Sequence, residues 1–137
     1  MASIRREVIF EVPAEELWDR VRDVGALHTR LVAGFVTDCR LDGNARIVTF
    51  ANGMVVREPI VDLNDNDRRL VWGAVGGQTS HYNASAQVFA EGANRSRLVW
   101  LVDLLPNELA PAITGMMEQG LAAMKKTVEG SYVRKRA

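Results

Sequence analysis

Between Phe35 and Leu105 this chain runs through one strand-like segment after another with few residues between them. "FVTDCRL" alternates apolar and polar residues, "DGN" is a hairpin signal, and "ARIVTF" alternates again before "ANG" makes the next turn. "MVVREPIVDL" is a longer run closed by the polar "NDNDR", and "RLVWGAV" ends at Gly76 and Gly77. "HYNASAQVFA" and "SRLVWLVDLL" make a last hairpin through "EGANR". Six consecutive strands with short polar turns predict an antiparallel meander. Pro59 disturbs the pattern, because proline removes a ladder donor and prefers an edge or a bulge.

The flanks have a different period. Ser3 to Val12 is rich in β-branched and aromatic residues and reads as a first strand. Pro13 then opens a helix with Glu15 and Glu16 in its first turn and Leu17, Val21 and Val24 at helical spacing, stopped by Gly25; "ALHTRLV" reads as a second short turn. Beyond Pro106, Leu109, Ile113, Met116, Met117, Gly120, Leu121, Met124 and Val128 recur at helical steps, an amphipathic stripe of roughly five turns or more. The basic end "VRKRA" reads as favourable charge at a helix C-terminus with fraying. At 137 residues the chain reads as a single domain, 1–137. The expected class is α+β: a curved seven-stranded antiparallel sheet around a long C-terminal helix, with two short helices between strands 1 and 2. A sheet of that size cannot lie flat over one helix, so twist and bulges must curve it.

Composition removes several functions. Seventeen basic residues balance 17 acidic ones, so no net field draws the protein to nucleic acid or to an anionic membrane. The lone Cys39 and two distant histidines offer neither a disulfide nor a metal site, and no cofactor is expected. The start "MASIRREVIF" has no apolar run of the signal-peptide kind, and no segment is long enough to cross a bilayer. A cytoplasmic protein, monomer or homodimer, is the expectation. "GAVGG" lacks the lysine of a phosphate loop, and no Gly-x-Ser-x-Gly elbow is present.

On the strand around Glu58, Val56, Glu58 and Ile60 share one face, and Val55, Arg57, Pro59 and Val61 the other. "VPAEELWDRVRDV" after the first strand, the run "DGNARIVTFANGMVVREPIVDLNDNDRRLVWGAVGG" and the hairpin "HYNASAQVFAEGANRSRLVWLVDLLP" resemble the polyketide cyclase/dehydrase group of the START-like, Bet v 1-like (SRPBCC) superfamily. The match covers nearly the whole chain and implies the helix-grip fold. The same region is similar to plant abscisic-acid receptors, though their proline-containing gate is absent around Asn52 and Gly53.

The resemblance turns Glu58 inward, where a carboxylate needs water, a hydroxyl or a cation. Either a wet cavity supplies these, or a neighbouring strand or an arginine satisfies the acid within a plain core. Tyr82 shares a face with Ala84, Ala86 and Val88, as a pocket wall with one hydroxyl or as a core cap. By the resemblance Trp72 and Trp100 face the helix, whose Ile113, Met116, Met117 and Gly120 form the opposite wall or ordinary core. It also puts His28 in the segment that roofs the cavity. His81 must point away from Tyr82 and reads as a surface residue. The expected ligand set is Glu58, Trp72, Tyr82, Trp100, Ile113, Met116, Met117, Gly120 and His28. The expected function is binding of a small hydrophobic molecule, aromatic or polycyclic, polyketide- or lipid-like. The alternatives are a cyclase/dehydrase-type enzyme using Glu58 and Tyr82 as catalytic groups, and a ligand-free interaction module.

Overall fold

The computed structural model describes residues 1–136. Strand β1 (Ala2–Phe10) leads into α1 (Ala14–Val21) and a single π-helical turn, Leu27–Leu31. Strands β2 (Val36–Asp42), β3 (Ala45–Phe50), β4 (Val55–Asn64), β5 (Arg69–Gly73), β6 (His81–Ala90) and β7 (Ser96–Leu105) follow. A 3-10 turn at Asn107–Leu109 then starts the long helix α2 (Ala110–Arg136). The sheet order is β1-β7-β6-β5-β4-β3-β2 with every pair antiparallel, so β2 to β7 form the expected meander and β1 closes against its last strand. This is the helix-grip arrangement, with α2 held against the inner face.

Curvature has local causes. The register slips between Val36 and Asp38 on β2 and between Ile60 and Asp62 on β4, and each extra residue adds twist. Pro59 stands beside the second bulge, opposite Ala45 on β3. Ile60 donates to Asn44 O on the β3 side, so the missing Pro59 donor faces β5. There β5 stops at Gly73, short of the expected end at Gly76, and β4 regains the chain only at the Arg57–Val75 bridge.

Helix α1 also ends early, at Val21 rather than Gly25. Arg22 N closes on Trp18 O, and Arg30 reaches back from the π turn to Asp19 and Asp23 at 2.7 and 2.9 Å, folding the segment over before another turn can form. The expected α2 stripe is present, with Met117, Leu121, Met124 and Val128 all buried. The helix runs to Arg136, and Lys135 meets Glu16 of α1 at 3.0 Å. Of the basic end, Ala137 and the side chain of Arg136 lie outside the described residues. No helix among the described residues is long and apolar enough to cross a membrane.

Candidate functional site

A cavity of about 320 Å³ separates the inner face of the sheet from the N-terminal half of α2. Its space follows from side-chain size. Trp72 on β5 and Trp100 on β7 flank β6, which places only Ala84 and Ala86 beside them. The two indoles therefore approach across β6 to 6.3 Å between ring centroids. On α2, Gly120 lets the helix come down on this pair: a β-carbon there would lie 3.3 Å from the Phe35 ring and 3.4 Å from that of Trp100. Phe35 in turn meets Phe50 edge to face at 5.6 Å. The lining residues Asn52, Gly77, Gln78 and Ala112 are solvent-exposed, so the mouth lies between the β3–β4 turn, the β5–β6 loop and the start of α2.

The polar part of this wall is a buried ion pair. Arg46 on β3 stands directly opposite Glu58 on β4 in the antiparallel register, and Arg46 Nε donates to Glu58 Oε1 at 2.7 Å. The arginine side chain is 3% exposed and the glutamate 9%. The Arg46 guanidinium also lies 5.3 Å from the Trp72 ring centroid, a cation–π contact. Burial pushes the Glu58 carboxyl above the usual glutamate value, and the Arg46 charge and hydrogen bond oppose that rise. Tyr82, on β6, has its phenol pushed upward by burial and by the nearby Glu58 charge, so the hydroxyl stays protonated. Among the described residues that hydroxyl has no hydrogen-bond partner.

The residues singled out in the sequence divide cleanly by position. Glu58, Trp72, Tyr82, Trp100, Ile113, Met116, Met117 and Gly120 all line the cavity. His28 does not: Leu27 and Leu31, at the two ends of the π turn, face the cavity, while His28 lies between them with a buried, unpartnered Nδ1. His81 is exposed on the opposite face of β6 from Tyr82. Sequence reasoning allowed for a cation beside Glu58 without naming it. Hairpin arithmetic would have found it, since Arg46 and Glu58 are equally spaced about Asn52 at the centre of the "ANG" turn. Phe35 and the loop residues Gln78 and Thr79 are further lining residues, with no periodic signal to announce them. Among the described residues no cluster of histidine, cysteine, aspartate or glutamate could hold a metal ion.

Residues 1–129 match the family described as polyketide cyclase / dehydrase and lipid transport. The chain belongs to this family. Three solved structures place the family fold in context. A protein from Bacillus thuringiensis superimposes with a TM-score of 0.83 at 18% identity, covering 93% of this chain and 98% of that one. The Zhui aromatase/cyclase of a Streptomyces species gives 0.73 at 16% identity, over 99% and 96% of the two chains. Norcoclaurine synthase from Thalictrum flavum gives 0.74 at 16% identity, over 93% and 92%. At these identities the likeness is one of fold. No curated protein matches the sequence. The cyclase/dehydrase-family helix grip thus surrounds, in this member, a largely apolar cavity with one buried ion pair and one free phenol.

Proposed function

We propose that this protein binds a small, mostly apolar molecule of a few fused rings or comparable size in the cavity beneath α2. The observation that carries the reading is the cavity itself: about 320 Å³ walled by Trp72, Trp100 and Met116, where a ligand-free module would have packed its inner residues solid. The family's description, cyclase/dehydrase and lipid transport, supports a ligand of this class. Apolar burial supplies affinity, and Arg46, Glu58 and Tyr82 orient polar atoms of the guest.

A second reading is favoured by one observation, the free Tyr82 hydroxyl close enough to the Arg46–Glu58 pair to feel both charges. In an enzyme of the cyclase/dehydrase kind the cavity holds a flexible chain in a productive fold. Glu58 exchanges a proton with it, and Tyr82 donates to the oxygen on which charge develops. Native mass spectrometry of protein purified from its own host tests the first reading: a retained small-molecule passenger, weakened in Glu58→Gln and Tyr82→Phe, is the expected result. Absence of any passenger, together with no thermal stabilisation by aromatic or polyketide-like compounds, would remove it. Turnover of that passenger by the wild type, lost in Glu58→Gln with binding intact, would establish the second.

A further inference from the structure

Charge inside the cavity is balanced. Among its described lining residues, Arg46 is the one cation and Glu58 the one carboxylate, and they neutralise each other across 2.7 Å. Hydrogen-bonding capacity is not balanced. Arg46 uses only Nε on Glu58; its two Nη groups have no hydrogen-bond partner among the described residues. Neither is sealed off, because the buried unpartnered polar atoms are His28 Nδ1, Ser96 Oγ and Trp100 Nε1. In a side chain that is 3% exposed, the space open to these Nη groups is the cavity. The same holds for the Tyr82 hydroxyl, whereas the sealed Trp100 Nε1 leaves a guest only the indole ring. The wall therefore offers donors from Arg46 and Tyr82, with the second Glu58 oxygen as the acceptor beside them.

We propose, building on the ligand-binding reading, that Glu58 is a built-in counter-ion that sets the charge of the ligand: the cavity takes uncharged molecules bearing an acceptor oxygen and turns away carboxylates and amines of the same shape. A neutral carbonyl or ether oxygen accepts from an Arg46 Nη and from Tyr82 while the ion pair stays intact. A carboxylate would bring a second negative charge beside Glu58 into a mostly apolar enclosure where the cation is already committed. An amine would bring a second positive charge beside Arg46 and compete with it for the one carboxylate. In each case an ion leaves water with no free counter-charge to meet it. A hydrocarbon without oxygen fills the space but leaves the donors unmet.

Calorimetric titration with four compounds on one skeleton tests this: acetylnaphthalene, naphthoate, aminomethylnaphthalene and ethylnaphthalene, at neutral pH where the acid is ionised and the amine protonated. For the wild type, acetylnaphthalene is expected to bind tightest, at least about tenfold ahead of both charged compounds. Glu58→Gln leaves Arg46 uncompensated, so naphthoate should overtake acetylnaphthalene. The double variant Arg46→Gln/Glu58→Gln restores neutrality and with it the preference for the ketone. Should Glu58→Gln fail to fold by circular dichroism, the wild-type ranking and the double variant still decide the matter. Naphthoate binding the wild type as tightly as the ketone, or an unchanged order in Glu58→Gln, would overturn the counter-ion role while leaving the binding reading standing. Ethylnaphthalene matching acetylnaphthalene would overturn the need for an acceptor oxygen. Failure of all four to bind the wild type would overturn the ligand-binding reading and the charge rule together.

Discussion

The two ends of α2 face the same sheet and do opposite things. Toward its C-terminus Val128 belongs to the same buried core as Phe10, Val12, Leu17 and Val88, all at most 2% exposed. Toward its N-terminus Ile113 and Met116 look across about 320 Å³ of open space at Trp72 and Trp100. The difference lies in what sits opposite. At the packed end α1 packs against β6 and β7 and α2 against β1; at the open end the wall carries Ala74, Ala86 and the Arg46–Glu58 pair, and a space is left between sheet and helix. One end supplies stability and the other encloses the proposed binding site, so substitutions at the two ends should separate the two quantities.

The largest contrast is expected from Phe10→Ala. The ring is fully buried, and its loss leaves a cavity the packed end cannot close, costing about 4 kcal/mol in urea unfolding. Ile113→Ala merely enlarges an existing space and should cost about 1 kcal/mol. Equal losses at the two sites would erase the distinction between the ends.

Next comes the ion pair. Arg46→Met leaves Glu58 buried with no cation, at a cost of about 3 kcal/mol at neutral pH. Burial, no longer opposed, then raises the Glu58 carboxyl further above its unfolded value of 4.5. A raised acid binds its proton more tightly folded than unfolded, so the deficit is complete above the folded pKa. It shrinks as pH falls through that value. Unfolding at neutral pH and at about pH 5 should show a smaller difference from the wild type at the lower pH. A difference that grows with acidity would mean Glu58 is not the group left exposed to the penalty.

How this division was legible in the sequence depends on which interactions make it. The alternation of β3 to β7 and the stripe on α2 mark the strands and the helix, so the meander could be read directly, whereas the inward turn of Glu58 and the facing of Trp72 and Trp100 came only with the family resemblance. Periodicity does not distinguish a residue that touches its neighbour from one that faces empty space: Met116 and Val128 lie on one stripe, yet Val128 is fully buried outside the cavity while Met116 is only half-buried and lines it. The Arg46–Glu58 contact was available through register once the turn was placed. The early ends of α1 and β5 were not, because they depend on Arg30 reaching back in the one case and on Pro59 in the neighbouring strand in the other. His28 shows the same limit, since a π turn presents residues that α-helical spacing would not.

A smaller effect of opposite sign is expected where the helix meets the cavity. Gly120→Ala removes the helical penalty of glycine, worth up to about 1 kcal/mol, and its methyl group presses on the Phe35 and Trp100 rings at 3.3 and 3.4 Å. Both rings border open space and can yield into it. The variant should therefore be slightly more stable while binding acetylnaphthalene more weakly than the wild type. A loss of stability would show that these rings are held as firmly as the packed end.

Two hydroxyls make the finest comparison, because both lack a hydrogen-bond partner among the described residues for different reasons. Ser96 Oγ is sealed in a residue with no exposure, paired between Phe10 on β1 and Ala90 on β6. Ser96→Ala removes a polar atom with nothing to bond and should leave stability unchanged or raise it by about 0.5 kcal/mol, with no effect on binding. The Tyr82 hydroxyl opens onto the cavity, where the proposed guest would be its partner. Tyr82→Phe should likewise move the unfolding midpoint little, within about 0.5 kcal/mol, yet weaken acetylnaphthalene roughly three- to tenfold, the value of one neutral hydrogen bond. If Tyr82→Phe instead costs stability and spares affinity, the phenol belongs to the solid part of the interior, and the boundary between the two ends of α2 must be redrawn on the other side of β6.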